Sequence, residues 1–175
     1  MDSYIVGYLC GIAFVLLFAF VIRRFFSKKF PKPVYDERQT LARLKAYQGA
    51  FWAVLGYLAV GGAILEPVGI GFADTLTFAS IGIFFSCTVL AVLCIINDCY
   101  FAINQQPKRY FWIFLALAAV NVVFFFVNLG DNSVFTDGKL NYHILNLVAA
   151  IVIIVIMIAS LIKAKTSSND KDEEE

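Results

Sequence analysis

Few residues of this 175-residue chain have the side chains that catalysis or metal binding requires. The single histidine, His143, excludes ligation of a haem iron by two histidines of one subunit. The four cysteines, Cys10, Cys87, Cys94 and Cys99, include no C-x-x-C pair and so do not indicate a zinc site or a redox relay. We expect them to be small apolar packing residues. Phosphate-binding loops, G-x-S-x-G and H-E-x-x-H are also absent from the sequence, which predicts no enzyme activity, no metal and no cofactor.

The composition places these residues in a membrane protein. The chain is 61% hydrophobic and 15% charged, with a mean hydropathy of +0.78, whereas soluble domains have about 25% charged residues. Its charged residues leave five uncharged segments of 19 to 22 residues: 4–22, 46–65, 75–96, 110–128 and 143–162. At about 1.5 Å per residue, each reaches roughly the 30 Å of a hydrocarbon core as an α-helix. The sequence predicts an all-α bundle of five transmembrane helices over residues 1–165.

The basic residues predict the orientation. The first segment follows no base and is followed directly by Arg23 and Arg24, which is the pattern of a retained anchor and not of a signal peptide. With the loop 23–45 in the cytoplasm, 13 of the 14 Lys and Arg residues lie on that side and only Lys139 lies outside. The N-terminus is therefore expected outside and the C-terminus inside.

The first half of the loop 23–45 is basic and aromatic. A cluster of this kind beside a membrane attracts anionic lipid at about 1 kcal/mol per base, although a stop-transfer anchor that only fixes topology accounts for it entirely. The candidate lipid-binding residues are Arg23, Arg24, Lys28, Lys29 and Lys32.

The second half of the loop predicts a helix. Asp36 can cap a helix that begins at Glu37 and runs through Leu65 into the second segment. Such an extension offers a surface to a protein partner, or is simply the solvated start of a long helix. The loop after the third segment lies on the same side, so Asp98 could pair with Arg38 or Arg43. Arg109 could likewise pair with Glu37. The candidate interaction residues are Asp36, Glu37, Arg38, Asp98, Lys108 and Arg109.

These two loops carry a resemblance. The stretch Y-D-E-R-Q at 35–39 and K-A at 45–46, with D-x-Y-F-x-I-N at 98–104 and P-K-R-Y at 107–110, resembles small uncharacterised multi-pass membrane proteins of Gram-positive bacteria. The resemblance implies the plasma (inner) membrane of a bacterium and brings no known activity with it.

Small and polar residues within the segments indicate where helices pack. Gly7 and Gly11 form a G-x-x-x-G face, and Gly82 with Ser86 forms a second small face. Asn121 lies near the middle of its segment and is expected to make an interhelical hydrogen bond. These contacts could lie within one subunit or between copies in a homo-oligomer.

Two features leave alternatives open. Glu66 and His143 fall near the predicted outer interface, where they could bind a cation or sense pH, or be ordinary loop residues. The segment 166–175 is acidic and too polar to fold alone. It could shield the basic loop or act only as a solubilising disordered tail.

Together these observations predict a non-catalytic membrane protein that acts by protein or lipid contact, as a regulatory, scaffold or accessory subunit. The expected partners are the bilayer, anionic lipids and a membrane or cytosolic protein, with no nucleic acid. The alternative is a small oligomeric transporter, exporter or channel subunit, although no Asp, Glu, Lys or Arg lies within the five segments.

Overall fold

A computed structural model describes Leu17, Phe20 and residues 33–65, 67, 71–105, 107–131 and 134–172. The chain divides into two units, Met1–Val34 and Tyr35–Glu175, and the architecture below is that of the second unit. Apart from Leu17 and Phe20, which are helical and exposed, the first predicted segment lies outside the described residues. So do Gly7, Gly11, Cys10 and the basic cluster of Arg23, Arg24, Lys28, Lys29 and Lys32.

The first described helix, α1, covers Glu37–Leu58. The side chain of Asp36 accepts a hydrogen bond of 2.6 Å from the backbone N–H of Gln39, which satisfies one of the free donors of the first turn. The predicted cap and start are therefore confirmed. The backbone continues as a π-helix over Ala59–Leu65, so the chain is helical to Leu65 as predicted, with a wider last part.

Three further helices follow: α2 over Thr75–Ile96, α3 over Pro107–Asp131 and α4 over Leu145–Asp172. Three helical segments are long and apolar enough to cross a membrane: Thr75–Ile96, Tyr110–Gly130 and Tyr142–Thr166, the last of which begins in the 3₁₀ turn that precedes α4. They coincide with the last three predicted segments. Large apolar side chains such as Val123 and Phe126 lie more than half exposed on α3, as expected for helices that face lipid.

The four helices pack in one row in the order α1, α2, α4, α3. Between α1 and α2, the hydroxyl of Ser86 donates to the carbonyl of Ala50 at 2.9 Å, and the hydroxyl of Tyr57 donates to the carbonyl of Phe78 at 2.9 Å. Gly82 is buried against the ring of Tyr57, where an added Cβ would lie 2.7 Å from the ring atoms. The missing side chain of Gly82 therefore permits the close approach of α1 to α2.

Asn121 differs from its prediction. Its side-chain amide donates to the carbonyl of Leu117 at 2.8 Å within α3, and not to a neighbouring helix. An Asn side chain can reach the carbonyl four residues before it, so the amide is satisfied locally. Polar bonds between helices are made by other side chains, among them Ser86 and Tyr57.

The structure also differs from two predictions: that the bundle is all-helical, and that the segment 166–175 is disordered. A short β-hairpin of β1 (Phe135–Thr136) and β2 (Lys139–Leu140) precedes a 3₁₀ turn over Tyr142–Ile144. In addition, α4 continues through Asp172, seven residues into the segment for which the composition predicts disorder. Extension of an existing helix avoids the cost of nucleation, so a polar sequence can continue it.

Candidate functional site

The turn after α2 organises one end of the bundle, which we call the Asp98 end. After the last residue of α2, Asp98 adopts φ = 56°, in the left-handed region that Asp tolerates better than most residues. The backbone N–H of Cys99 then donates to the carbonyl of Cys94 at 2.8 Å, which closes the helix terminus. The turn leaves three carbonyls, those of Asp98, Cys99 and Phe101, available to other helices.

Two side chains of α1 bind these carbonyls. The amide of Gln39 donates to Asp98 at 2.7 Å and to Phe101 at 3.4 Å, and the guanidinium of Arg43 donates to Cys99 at 3.5 Å. Gln39 and Arg43 are four residues apart and so lie on one face of the helix. The start of α1 is thereby attached to the end of α2.

The carboxylate of Asp98 pairs with Lys163 on α4, at 2.9 Å between Nζ and Oδ2. The same Nζ donates to the carbonyl of Ile96 at 3.1 Å. The predicted pairing of Asp98 with Arg38 or Arg43 is therefore wrong. Arg38 lies exposed on another face of α1, and Arg43 is directed at the carbonyl of Cys99. The sequence pattern identified Lys163 only as a base that sets orientation.

The cysteines beneath the turn belong to the core. Cys94 and Cys99 are buried together with Ala46. Cys87, expected on the packing face with Cys94, is exposed instead. The neighbouring phenol of Tyr100 is largely enclosed, and this burial raises its pKa above the usual value.

Arg43 lies at the head of a cavity of about 340 Å³, which we call the Arg43 slot. The guanidinium carbon lies 4.2 Å from the centroid of the Tyr35 ring, and Tyr47 forms a hydrogen bond with the Arg43 side chain. Burial alone lowers the pKa of Arg43, but the hydrogen bond with Tyr47 and the charge interactions with Tyr35 and Tyr47 give a net increase. The slot is lined by Tyr35, Arg43, Tyr47, Cys87, Leu90, Ala91, Cys94, Tyr100 and Ile156.

A second cavity of about 570 Å³, the α1–α2 groove, opens on another face of α1. Its floor is apolar and its rim is charged, with two bases and one acid. The lining residues are Glu37, Arg38, Leu41, Ala42, Lys45, Ala46, Leu93 and Asn97. Of the predicted interaction residues, Glu37 and Arg38 thus line the groove, Asp36 caps α1 and Asp98 binds Lys163. The side chains of Lys108 and Arg109 lie outside the described residues, so the predicted pairing of Arg109 with Glu37 stays a prediction.

The opposite end, the Asp74 end, is built from backbone pairing. Asp74 caps α2, accepting 2.7 Å from the backbone N–H of Thr77, and its own N–H donates to the carbonyl of Leu140 at 2.8 Å. His143 lies there with its ring 4.2 Å from that of Tyr142, while Glu66 lies outside the described residues. In the part of the chain that the structure describes, no group of three His, Cys, Asp or Glu side chains could hold a metal.

No protein-family model matches the chain, and no curated protein or solved structure matches it either.

Proposed function

We propose that this chain is a non-catalytic protein of the bacterial plasma membrane that acts by binding a partner protein at the Asp98 end. In this proposal the chain crosses the membrane five times, with the N-terminus outside, and the Asp98 end faces the cytoplasm. Helices long and apolar enough for the last three crossings support this topology, and the distribution of bases supports the orientation.

The observation that carries the proposal is the division of polar side chains between two faces of α1. The side chains of Gln39 and Arg43 donate hydrogen bonds to backbone carbonyls of the turn after α2. Glu37, Arg38 and Lys45 are exposed around the α1–α2 groove and make no ion pair with any described residue. Charged side chains that do not stabilise the fold, placed around an apolar floor, have the composition of a binding surface.

The chemistry of the groove defines the partner. Leu41, Ala42 and Leu93 provide an apolar floor of small and branched side chains, which suits the apolar ridge of a helix. Because the rim has two bases and one acid, the proposed partner segment carries a net negative charge beside that ridge. The partner is thus a protein with an acidic, amphipathic helix at the cytoplasmic membrane surface.

Site-specific photo-crosslinking in cells tests this proposal. A benzoylphenylalanine at Leu41, which lines the groove, is expected to yield a discrete adduct with a second protein. The matched control is Leu44, which is exposed on the same helix but does not line the groove. Reversal of the rim charges by Arg38→Glu with Lys45→Glu should reduce the Leu41 adduct about tenfold, because both favourable charge interactions become repulsive.

The outcomes separate the two candidate functions. Equal adducts at Leu41 and Leu44, or an adduct that the charge reversal leaves unchanged, would contradict the groove proposal. An adduct between copies of this chain, together with ion flux in liposomes, would instead favour the small oligomeric transporter, exporter or channel subunit.

A further inference from the structure

The Arg43 slot contains a positive charge without a matching negative one. The guanidinium has the ring face of Tyr35, the Tyr47 side chain and one long hydrogen bond of 3.5 Å to a carbonyl. The carboxylate nearest the turn, that of Asp98, is paired with Lys163 and not with Arg43. Among the residues that the structure describes, no carboxylate lines the slot. A partly buried cation without an anion is unfavourable, and the five N–H donors of a guanidinium fit an oxyanion in two-point contact.

The position of the slot places that cation at the level of lipid headgroups. The slot is bounded by Leu90, Ala91 and Cys94 of α2, whose membrane-crossing segment ends at Ile96. Arg43 contacts the turn immediately after this segment, at Cys99. Tyr side chains, which also surround Arg43, are typical of the membrane–water interface.

The shape of the slot fits an amphiphile. From Cys94 the lining continues to Cys87, about 10 Å further into the membrane at the rise of an α-helix. Ile156 of α4 forms the facing wall, so this deeper part is apolar. The slot therefore has a polar outer part, with Arg43 and three Tyr side chains, and an apolar deeper part between α2 and α4.

We propose that the Arg43 slot binds one anionic phospholipid, with its phosphate on the guanidinium of Arg43 and one acyl chain along Cys87, Leu90 and Ile156. A zwitterionic lipid also has a phosphate, but its ammonium group would find no carboxylate in the slot. The inference depends on the membrane setting of the proposed function but not on the partner that binds the groove.

Native mass spectrometry of the full chain, released from detergent and titrated with phosphatidylglycerol or phosphatidylcholine of the same acyl chains, tests the slot. The wild-type chain should bind the first phosphatidylglycerol about tenfold more tightly than the first phosphatidylcholine, because the ammonium of phosphatidylcholine has no acceptor in the slot and is repelled by the guanidinium. Arg43→Gln should remove this preference. Arg38→Gln is the matched control, because it removes the same charge from the exposed rim of the groove and should leave the preference unchanged.

A second variant keeps the proposal testable if Arg43→Gln does not fold. Ile156→Trp fills the apolar part of the slot without a change of charge, and it should weaken the binding of the first phosphatidylglycerol. Equal losses in Arg43→Gln and Arg38→Gln, or equal wild-type affinity for the two lipids, would overturn the proposal. Displacement of the lipid by millimolar inorganic phosphate would also overturn it, since the site would then recognise a free phosphate.

The two proposals fail independently. Arg43→Gln is expected to leave the Leu41 photo-adduct intact, because Arg43 does not line the groove. A lost lipid preference with an unchanged adduct supports the slot alone, and an absent adduct with a retained preference contradicts the groove alone.

Discussion

The two ends of the described bundle each contain a tight turn, but the two turns are held in place by different kinds of hydrogen bond. Each has a turn with a left-handed aspartate, Asp98 at φ = 56° and Asp137 at φ = 51°. Asp137 precedes Gly138 in the two-residue turn of the hairpin, and backbone bonds from Asp74 to Leu140 and from Leu140 to Phe72 attach that hairpin to the start of α2. Asp98 is held instead by the side chains of Gln39 and Lys163.

This difference determines how each end responds to its surroundings. Backbone hydrogen bonds involve no charged group, so the attachment of the hairpin at the Asp74 end should depend little on salt. The bonds at the Asp98 end involve an ammonium and a carboxylate that are partly exposed, so solvent ions can weaken them. The Asp98 end is therefore the one that charge, salt or a bound anion can influence.

The largest expected effect follows from replacing Asp98 by Val. The variant loses the ion pair with Lys163 and forces a β-branched residue into the left-handed region, with a combined cost of about 2 to 3 kcal/mol in the free energy of unfolding. The measurement is unfolding of the full chain in mixed micelles by added dodecyl sulfate, followed by circular dichroism. Asp98→Gly removes the pair without the backbone strain and should cost about 1 kcal/mol or less. Equal losses in the two variants would show that backbone conformation at Asp98 has no energetic weight.

At the Asp74 end, removal of the helix cap has the largest expected effect. Asp74→Ala leaves the backbone N–H of the fully buried Thr77 without its side-chain acceptor and should cost about 1 kcal/mol in the same assay. Asp74→Asn retains an acceptor oxygen and is the control, with most of the stability preserved. A similar loss in both variants would indicate that the carboxylate charge, and not the cap, stabilises α2.

Lys163→Met tests whether the stability of the Asp98 end depends on salt more than that of the Asp74 end. The variant should lose about 0.5 to 1 kcal/mol at low ionic strength, because the pair is partly exposed, and the difference from wild type should shrink as salt is added. Lys139→Met makes the same charge change at the Asp74 end, where it is expected to alter stability by less than about 0.5 kcal/mol. A loss in Lys163→Met that is independent of salt would mean that the methylene stem, and not the charge, provides the stability.

The smallest effect is expected at the hairpin. Asp137→Gly introduces a residue that adopts positive φ without strain, and it breaks no ion pair among the described residues. The free energy of unfolding should change by less than about 0.5 kcal/mol. A larger loss, comparable with that of Asp98→Gly, would show that the side chain of Asp137 has a contact role and would remove the contrast between the two ends.

Features that depend on neighbouring residues could be predicted from the sequence. The cap at Asp36 and the start of α1 follow from an aspartate before a helical pattern. The gaps between charged residues also located the three helical segments of the described chain that are long and apolar enough to cross a membrane. The D-G pair at 137–138 between short apolar runs is also a local hairpin signal, and it was available in the sequence although the all-helical prediction omitted the hairpin.

Contacts between distant residues could not be predicted in the same way. The partner of Asp98 depends on which helix lies next to α2, and several bases satisfy the charge rule equally well. The structure places α4 there, so Lys163 is the partner. Asn121 shows the converse, because a polar side chain in a span can be satisfied within its own helix.

The order of the helices in the row also sets an order of events during synthesis. The helices α1 and α2 are neighbours in sequence and in space, so they can pair as soon as Gly82 and Ser86 have been translated. The helices α2 and α4 also touch, but α3 is translated between them and packs only beyond α4. Lys163 therefore reaches Asp98 only after α3 and most of α4 have been synthesised. Until Lys163 has been synthesised, Asp98 has no ion-pair partner on α4. The Lys163–Asp98 pair is therefore among the last contacts of the bundle to form.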